Sequence, residues 1–476
     1  MNLASLVKLN ATNHPNKPAI FVGDDSIAYG ELWSGIESIA TQLHQAGITA
    51  GDRVALSMAD HAIHIMSHYA VARLGAVIVP VDHRWTEPEK QTACHAFSVK
   101  LAVTDDHDID AVTCITVNIH QSDGVELPPI PQGDHDLLIS LSSGTTGKPK
   151  GAIVTHEQFL QRFVSQWAAI GIDSNDCFAI ATPLFFGAGR SFAMCLLTVG
   201  GQLLLAPPPI KPEALVEQLN RGEVSATFLP PTLLRRLLPL SADEPLLPKL
   251  NYLLVSGEPL HSDEAQVCLK KISPNLVGYY ASSEGGGISV LKSEDFVNFS
   301  HTVGLPTYRT EVQIVDSEDR TLDTNQVGRL RYRGPGVATR FVDSDGQEKN
   351  SGQNGWFYPG DLAERLPTGH IVLRGRDKDV IIRGGVNVYP AEIEAALVSH
   401  QDVQEVCVLG IASQDRGEKI VAFVCGDNLD EEALVDFCKE NLAPYKVPES
   451  FVILGALPKS NSGKVDKGKL KKLAET

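Results

Sequence analysis

The sequence predicts an α/β protein in two parts. The larger part is an amino-terminal domain of parallel-type sheets with flanking helices plus a small β-rich subdomain, and the smaller part is an α+β domain at the carboxyl end. Short apolar runs alternate with helical patterns over the first three quarters of the chain. Short strands with Gly and Pro turns dominate 328–375, and strand and helix patterns resume at Asp379. The charged segment 376–378 separates the parts and predicts domains at 1–376 and 379–476.

Short apolar runs are the candidate strands of the large domain. They lie at 137–141, 177–181, 202–206, 226–229, 252–255 and 276–280. A helix is predicted over 213–221, because Pro212 stands near its start and Gly222 just past its end. Strands that alternate with helices imply parallel sheets covered on both faces, which bind ligands at the carboxyl ends of their strands.

The carboxy-terminal part has its own sequence of elements. A strand is predicted at 379–383, a helix opened by Pro390, strands near 404–411 and 420–425, and a helix near 430–442. The tail that follows is rich in Gly, Ser and Lys. This pattern is typical of a compact α+β unit.

Composition and charge exclude several classes of protein. The chain has 476 residues, 43% of them hydrophobic, and a net charge of −17, which argues against a disordered chain and against binding of nucleic acid through a basic surface. Its eight cysteines form no CxxC motif, and the first residues show no signal peptide, so we expect reduced thiols and a cytoplasmic location. The longest apolar run, 192–205, is interrupted by Gly200-Gly201, so no membrane span is expected. The oligomeric state stays open.

One loop carries the signature of an anion site. The string SSGTTGKPKG at 142–151 directly follows an apolar strand. Its glycines let successive backbone N–H groups point at one anion, and its hydroxyls and lysines supply further donors and charge. The Walker A pattern needs Ser or Thr after Gly-Lys, whereas Pro149 follows Lys148 here, and Ser142 stands where the first glycine belongs. A P-loop NTPase is therefore not supported.

This loop resembles the signature of the adenylate-forming enzymes, which include acyl-CoA synthetases (AMP-dependent CoA ligases), adenylation domains of nonribosomal synthetases, and luciferases. Further segments resemble other landmarks of that family: IAYGEL (27–32), GAVIVPVDHRWTEPE (75–89), SGEPL (256–260), YYASSE (279–284), GWFYPGDLA (355–363), GRDKDVIIRGGVNVYPAEIE (375–394) and PKSNSGKVDK (458–467). They occur in family order and span nearly the whole chain. The resemblance implies ATP and Mg²⁺ as cofactors, CoA as co-substrate, and a small carboxylic acid as partner.

By this resemblance, the residues that bind ATP are Ser142, Ser143, Gly144, Thr145, Thr146, Gly147, Lys148, Lys150, Gly257, Glu258, Pro259, Tyr280, Ala281, Ser282, Asp361 and Arg376. Glu284 is expected to ligate Mg²⁺, a cation that prefers carboxylate and phosphate oxygens. Ser283, where the family usually has Thr, is expected to reach the α-phosphate or the metal. Asp361 is expected to accept hydrogen bonds from the ribose hydroxyls, with Arg376 at the ribose or phosphate.

The resemblance also makes the carboxy-terminal domain a mobile one. Lys464 is implied as the catalytic lysine, a compact positive charge between the acid and the α-phosphate. Lys378 is implied as the hinge residue. After rotation, Gly384 and Gly385 are expected to face the pantetheine arm of CoA, because glycine permits close backbone approach. The neighbouring lysines of the tail, such as Lys459 and Lys467, are expected to be solvated.

Departures from the family pattern indicate which kind of carboxylic acid is expected as the substrate. Phe186 falls where members that activate amino acids have Asp, so an α-amino acid is disfavoured. The predicted acyl pocket consists of Phe185, Phe186, Gly187, Thr232, Gly278 and Ala281. An apolar acid, aromatic or of medium chain length, is expected.

Two alternatives to CoA ligation stay open. The acyl group could pass to the phosphopantetheine thiol of an acyl-carrier protein, or the chain could be a non-catalytic nucleotide sensor. The sensor is disfavoured by the retention of Glu284, Asp361, Arg376 and Lys464. His61, His64 and His68 could share a helical face, but the HExxH pattern is absent, and an exposed polar face is expected there rather than a metal site.

Overall fold

The computed structural model describes residues 1–110, 112–121, 125–143, 149–257, 260, 262–343, 346–350, 352, 354–383, 386–413, 417–459 and 464–474, with the backbone alone at 142, 143, 149, 382, 383, 386, 387, 413 and 417. They form two compact units. The first comprises Met1–Val312 with Tyr332–Phe357, and the second comprises Gln313–Arg331 with Tyr358–Thr476.

The strands up to residue 306 are β1 (Pro18–Val22), β2 (Asp25–Ala28), β3 (Arg53–Ser57), β4 (Val77–Pro80), β5 (Leu101–Thr104), β6 (Thr113–Ile115), β7 (Asp136–Ser143), β8 (Pro149–Thr155), β9 (Cys177–Ile180), β10 (Gln202–Leu205), β11 (Ala226–Phe228), β12 (Tyr252–Val255), β13 (Leu276–Ser282), β14 (Gly286–Leu291) and β15 (Leu305–Pro306). Those that follow are β16 (Glu311–Val315), β17 (Gly328–Arg333), β18 (Arg340–Val342), β19 (Glu348–Asn350), β20 (Asp361–Arg365), β21 (Ile371–Arg376), β22 (Ile381–Arg383), β23 (Val386–Val388), β24 (Val403–Ser413), β25 (Gly417–Gly426) and β26 (Ser450–Ile453).

The helices are α1 (Leu3–Asn13), α2 (Tyr29–Gln45), α3 (Ala62–Arg73), α4 (Glu87–Ala96), α5 (His156–Ile170), α6 (Gly187–Val199), α7 (Pro212–Leu219), α8 (Pro231–Leu237), α9 (Ser262–Lys271), α10 (Phe296–Phe299), α11 (Pro390–Val398), α12 (Glu431–Asn441) and α13 (Lys467–Ala474). Within the described ranges, none of them is long and apolar enough to cross a membrane.

The predicted strands of the large domain are confirmed, with ends that differ by at most two residues. The predicted strand at 379–383 is wrong at its start, because Asp377–Asp379 forms a 3-10 turn and the strand begins at Ile381. The predicted parallel-type sheets are present, with antiparallel edge strands that the sequence did not indicate. A parallel centre carries antiparallel edge strands, as is common in large α/β sheets.

Two mixed sheets build the first unit. The larger runs in the order β15-β14-β13-β12-β11-β9-β10-β1-β2, with antiparallel β2 at one edge and β14 and β15 at the other. The smaller runs β19-β18-β8-β7-β4-β3-β5-β6, and β7 and β8 pair as an antiparallel hairpin. Apolar side chains of α1, α2, α3 and α6 form the main buried core, in which Tyr29 and Tyr69 are fully buried.

The second unit also contains two sheets. Strands β16-β17-β20-β21 form one, and β23-β22-β25-β24 form the other, with β26 added beside β25. Helices α11 and α12 cover one side of the second sheet through the core that includes Ile393 and Leu434, and α13 adds Leu470 to the core on Phe423. This unit combines strands that precede residue 376 with the carboxy-terminal elements. The predicted domain limits at 1–376 and 379–476 stay predictions.

The three histidines of the α3 region do not form an exposed face, which corrects that expectation. His64 and His68 are only 1% exposed, and their rings stack with centroids 4.9 Å apart. His61 caps the helix and forms an ion pair with Asp105 at 2.8 Å. Among the described residues, no three His, Cys, Asp or Glu side chains are grouped as a metal site requires.

Buried neutral histidines predict a loss of stability in mild acid. Burial lowers the pKa of His68 and His156 to about 3 and holds that of His64 well below its ordinary value. Because the unfolded chain takes up protons near pH 6.5, their contribution is complete above that pH and is lost as the pH falls towards 3. We expect the unfolding free energy to drop by as much as about 1.4 kcal/mol per pH unit for each histidine.

Urea unfolding measured at several pH values between 7.5 and 4 tests this expectation. A His156→Asn variant should flatten the pH dependence by about one proton, since asparagine does not titrate. His95→Asn, at an exposed position, is the control and should leave the slope unchanged. A midpoint that stays constant from pH 7 to pH 5 would contradict the prediction.

Candidate active site

The predicted acid and adenine residues follow adjacent strands of the larger sheet. Strands β9, β11, β12 and β13 are parallel neighbours. Phe185 and Phe186 come shortly after β9, Thr232 after β11, Gly257 after β12, and Glu284 after β13. Because the carboxyl ends of parallel strands meet at one edge of a sheet, the fold gathers these segments at the edge where such proteins bind ligands.

The phosphate loop joins β7 and β8. In the backbone ladder, Ser142 pairs with Lys150 and Ser143 pairs with Pro149. The two strands therefore stay paired up to the residues that flank the loop. A Cβ at Gly151 would lie 2.1 Å from Cγ2 of Ile139, which explains the glycine at this position. The loop residues themselves, Gly144, Thr145, Thr146, Gly147 and Lys148, lie outside the described residues, and so do Glu258, Pro259, Gly384 and Gly385.

The turn that carries Ser283 and Glu284 connects the antiparallel strands β13 and β14. Ser282 Oγ accepts a hydrogen bond from the backbone N–H of Gly285 at 3.0 Å and is 2.5 Å from the hydroxyl of Tyr332, which is fully buried. The N–H of Ala338 donates to the Glu284 carbonyl at 2.8 Å. The turn is thus hydrogen-bonded to a distant segment of the same unit, while Ser283 is exposed and Glu284 half-buried.

A buried guanidinium lies behind this turn. Arg162 of α5 donates from Nη2 to the Glu284 carbonyl at 2.5 Å, from Nη1 to Ser283 at 3.3 Å, and from Nε to the Gly336 carbonyl at 2.8 Å. The side chain is only 8% exposed, and burial lowers its pKa. Its partners here are carbonyl dipoles, so the Arg162 charge adds a positive potential beneath the turn.

Sequence reasoning missed Arg162 and Tyr332. A signal for Arg162 exists, because it shares a helical face of α5 with Phe159 and Phe163, where a charge is costly unless it has partners. Tyr332 offers no such signal, since it alternates with Arg331 and Arg333 in β17, where a tyrosine on the buried face is ordinary core.

The predicted ribose residues form an ion pair. Asp361 starts β20 and lies directly opposite Arg376 of β21. The Arg376 Nε is 2.9 Å from Asp361 Oδ1, and Nη1 donates to the Pro359 carbonyl at 2.6 Å. Asp361 is 8% exposed and Arg376 is exposed, so the pair presents a carboxylate and a guanidinium side by side. The structure therefore brings these two predicted residues together.

The aromatic segment after β9 is fixed from several sides. Phe185 and Phe186 have ring centroids 4.1 Å apart, and Trp85 meets Phe185 edge-on at 6.4 Å. The guanidinium of Arg84 lies 5.3 Å from the Phe185 ring. Phe186, at the start of α6, keeps 37% of its surface exposed and carries no charge, so it offers an apolar contact rather than a partner for an ammonium group.

Polar groups hold the same segment in place. Asp60 accepts a hydrogen bond from the Leu184 N–H at 2.7 Å. Arg190, 2% exposed, donates from Nη1 to the carbonyls of Leu184 at 3.3 Å and Phe185 at 2.6 Å. Burial, helped by the charge of Arg162, lowers the pKa of Arg190 to about 10. Both arginines therefore brace predicted site segments through backbone carbonyls.

The remaining predicted residues of the adenine site and the acyl pocket lie on separate segments of the first unit. Gly257 has φ +98°, a conformation that favours glycine, and no atom of the described residues lies within 4 Å of a Cβ built there. Tyr280 and Ala281 flank a register shift in the β13–β14 pair. A Cβ at Gly278 would lie 3.2 Å from Leu291 Cβ, so core side chains pack directly against this glycine. Thr232 is half-buried in the first turn of α8, and Gly187 is exposed.

The carboxy-terminal residues lie in the second unit. Lys464 is exposed and precedes a bridge between Lys459 and Val465. Lys378 is exposed within the 3-10 turn at Asp377–Asp379. Strands β22 and β23 pair on either side of 384–385. The expectation of solvated tail lysines is wrong for Lys459 and Lys467, which form ion pairs with Glu405 at 2.6 Å and Asp379 at 2.5 Å.

The donor groups present suit ATP with Mg²⁺. The Glu284 carboxylate is a hard oxygen donor on a turn with a fixed backbone, which is the kind of ligand that Mg²⁺ takes together with phosphate oxygens. Lys150 lies beside the phosphate loop, and Asp361 can accept from ribose hydroxyls. The residues therefore fit the cofactor that the sequence implies.

This combination of fold and site is that of an adenylate-forming enzyme. Residues 7–342, more than half of the chain, match the family model described as AMP-binding enzyme, and residues 392–464 match the model of the AMP-binding enzyme C-terminal domain. The chain belongs to the AMP-binding enzyme family, which confirms the resemblance found in its sequence.

Individual relatives are similar over nearly their whole length. The 2-succinylbenzoate–CoA ligase of Bacillus licheniformis is 27% identical over 481 residues, covering 99% of this chain and 100% of that one. The feruloyl-CoA synthase of an Amycolatopsis species is 28% identical, with 96% of each chain covered. The o-succinylbenzoate CoA synthetase of Bacillus subtilis, solved with its acyl-adenylate intermediate, superposes with a TM-score of 0.90 at 26% identity, covering 98% of this chain and 97% of that one. The likeness confirms the predicted fold class.

Proposed function

We propose that this enzyme uses ATP and Mg²⁺ to convert a carboxylic acid to an acyl-adenylate and then transfers the acyl group to CoA. One observation above all supports the first step: the Ser283–Glu284 turn is fixed by Arg162, Tyr332 and Ala338 at the ligand-binding edge of the sheet. A carboxylate carried on a turn with a fixed backbone has fewer positions open to it before metal and phosphate arrive. Whole-length similarity to CoA ligases supports the second step.

The chemistry has two balanced steps. A carboxylate oxygen of the acid attacks the α-phosphorus of ATP, the bond to the β-phosphate oxygen breaks, and pyrophosphate leaves. The CoA thiolate then attacks the acyl carbon, the bond to the AMP oxygen breaks, and AMP leaves. Both reactants of the first step are anions, so neutralising and positioning them is the main task of the protein.

The residues of this chain divide that task. Bound Mg²⁺ would neutralise phosphate charge, and Glu284 would hold it. Lys464 would place its ammonium between acid and α-phosphate, Asp361 would orient the ribose, and the loop at 142–148 would hold the terminal phosphates. In the second step Gly384 and Gly385 would admit the pantetheine arm, with Lys378 as the hinge. These roles are proposals that extend the sequence resemblance.

We propose an aromatic acid as the substrate. The relatives named for 2-succinylbenzoate and ferulate act on acids with a benzene ring. In this chain, Phe185, Phe186 and Trp85 form an aromatic cluster, and an aromatic ring packs well against others in offset or edge-on geometry. The free state of all eight cysteines supports a reducing compartment, and we propose the cytoplasm.

Acid-dependent release of pyrophosphate, measured over a panel of carboxylic acids, tests the proposal. We expect aromatic acids to exceed short aliphatic acids, and Phe186→Ala to raise the KM for the best aromatic acid by about tenfold while leaving the KM for ATP unchanged, because the variant removes apolar contact area. Trp167→Ala removes an exposed aromatic ring from α5 and serves as the control. No acid-dependent release over a broad panel would refute the enzyme and favour a nucleotide sensor.

The acyl acceptor needs a separate measurement. With the best acid, CoA and a phosphopantetheinylated carrier protein are offered together, and the two thioester products are quantified. We expect acyl-CoA to dominate. Thioester on the carrier protein alone would instead establish the carrier-loading alternative.

A further inference from the structure

A partly buried ion pair joins the lysine loop to the predicted hinge. Lys467, the first residue of α13, donates from Nζ to Asp379 Oδ2 at 2.5 Å. Asp379 ends the 3-10 turn that begins at Asp377 and directly follows Lys378. Lys467 stands three residues after Lys464. The bond therefore connects the segment that carries the catalytic lysine to the segment at which the domain is expected to rotate.

The surroundings strengthen this bond. Burial lowers the pKa of Lys467, but the hydrogen bond and charge of Asp379 outweigh it, so the net pKa is raised and the ammonium stays charged. The carboxyl of Glu394 lies nearby, and its Oε1 accepts the N–H of Val408 at 2.8 Å. Burial raises the pKa of Glu394, and the charge of Lys467 acts against that. The Lys467 side chain is 41% exposed and that of Asp379 is 20% exposed, so the pair is partly shielded from water and is worth somewhat more than a fully exposed ion pair.

A second set of bonds fixes the other end of the same loop. Lys459 donates to Glu405 at 2.6 Å and forms a β-bridge with Val465. The N–H of Asp466 donates to the Pro458 carbonyl at 2.7 Å. The loop that contains Lys464 is thus closed at its base, and the start of α13 is the part of that base fixed to the hinge segment.

We propose that Lys467 and Asp379 are positioning residues, which act through Lys464 and set its ammonium for adenylation. This inference rests on the proposed function. The Lys464 side chain is exposed, and the described backbone on either side of it is bonded at Lys459, Val465 and Asp466, so the position of its ammonium depends on where α13 begins. A displacement of about 1 Å in a catalytic group can cost about a hundredfold in rate. Because Lys464 is assigned a role in adenylation and none in thiol transfer, the second step should depend on the pair less.

The test measures the two half-reactions in Lys467→Met and Asp379→Asn. We expect kcat for adenylation, followed by pyrophosphate exchange, to fall by about thirtyfold with a KM for ATP that changes less than about threefold. Thioester formation from supplied acyl-adenylate should change less than about threefold. The separate variant Lys467→Arg, which keeps the positive charge, should retain most of the adenylation rate. Lys439→Met breaks the exposed Lys439–Asp436 pair of the same unit and is the matched control.

A charge-reversed double variant keeps the test decisive if a single variant fails to fold. Asp379→Lys with Lys467→Asp should recover much of the adenylation rate that either single reversal loses. Equal loss in both half-reactions, or failure of Lys467→Arg to retain adenylation, would assign the pair to general stability and overturn the proposal. So would an unchanged adenylation rate in Lys467→Met. Absence of pyrophosphate exchange in the unaltered enzyme would refute the proposed function itself, which is a separate result.

Discussion

Replacing Lys464 by alanine is expected to abolish acyl-adenylate formation and to spare thioester formation from supplied acyl-adenylate. In the first step a carboxylate approaches a triphosphate, and a point charge aimed at the developing negative charge lowers that barrier. Loss of one such group costs about a hundredfold to a thousandfold in rate. In the second step the leaving group is already AMP, and the attacking group is a thiolate. Pyrophosphate exchange and acyl-adenylate consumption with CoA report the two steps separately.

The structure provides a control for this substitution. Lys464 and Lys471 are both exposed lysines of the carboxyl end, and Lys471 lies on α13 beyond the loop. Lys471→Ala should leave both half-reactions within about twofold of the original rates, since an exposed charge is strongly screened. Thermal unfolding should be the same for both variants. Loss of the two half-reactions to the same extent in Lys464→Ala would contradict a role confined to adenylation.

The sequence could predict those residues whose chemistry is local. Glu284 and Asp361 stand in short motifs in which a carboxylate follows a strand or a glycine, and such motifs can be recognised without any tertiary contact. The strand before Glu284 is a short and mostly apolar run, so its existence was also predictable. The antiparallel edges formed by β2, β14 and β15 were not, because an apolar run does not reveal the direction of its neighbour.

Residues that support the site through tertiary contacts could not be predicted from motifs. Arg162 reaches the Glu284 turn only because α5 packs against β14, and Gly286 and Gly336 leave room for it. A Cβ at Gly336 would lie 2.8 Å from Arg162 Cγ, and one at Gly286 would lie 2.9 Å from it. Three segments far apart in the chain thus share one contact. The same holds for Lys467, whose sequence context suggests a solvated charge and whose partner lies at the hinge.

Arg162 itself carries the second large expected effect. Arg162→Met should reduce adenylation by about a hundredfold and raise the Mg²⁺ concentration at half-saturation by about tenfold, because Glu284 then sits on a turn that has lost two donors. The carbonyls of Ser283, Glu284 and Gly336 would lose a charged partner, so we also expect a loss of about 3 kcal/mol in stability. Magnesium titrations of pyrophosphate exchange, made on protein shown to be folded, provide the measurement.

Arg190→Met is the comparison that separates positioning from general damage. Arg190 is as deeply buried as Arg162 and also bonds backbone carbonyls, but those of Leu184 and Phe185. Its loss should raise the KM for the acid and leave the Mg²⁺ dependence unchanged, since it braces the aromatic segment and not the Glu284 turn. Arg162→Lys, which keeps the charge with fewer donors, should fall between the original enzyme and Arg162→Met. If both arginine variants shifted the Mg²⁺ dependence equally, the effect would belong to the shared core, and the specific role of Arg162 would be refuted.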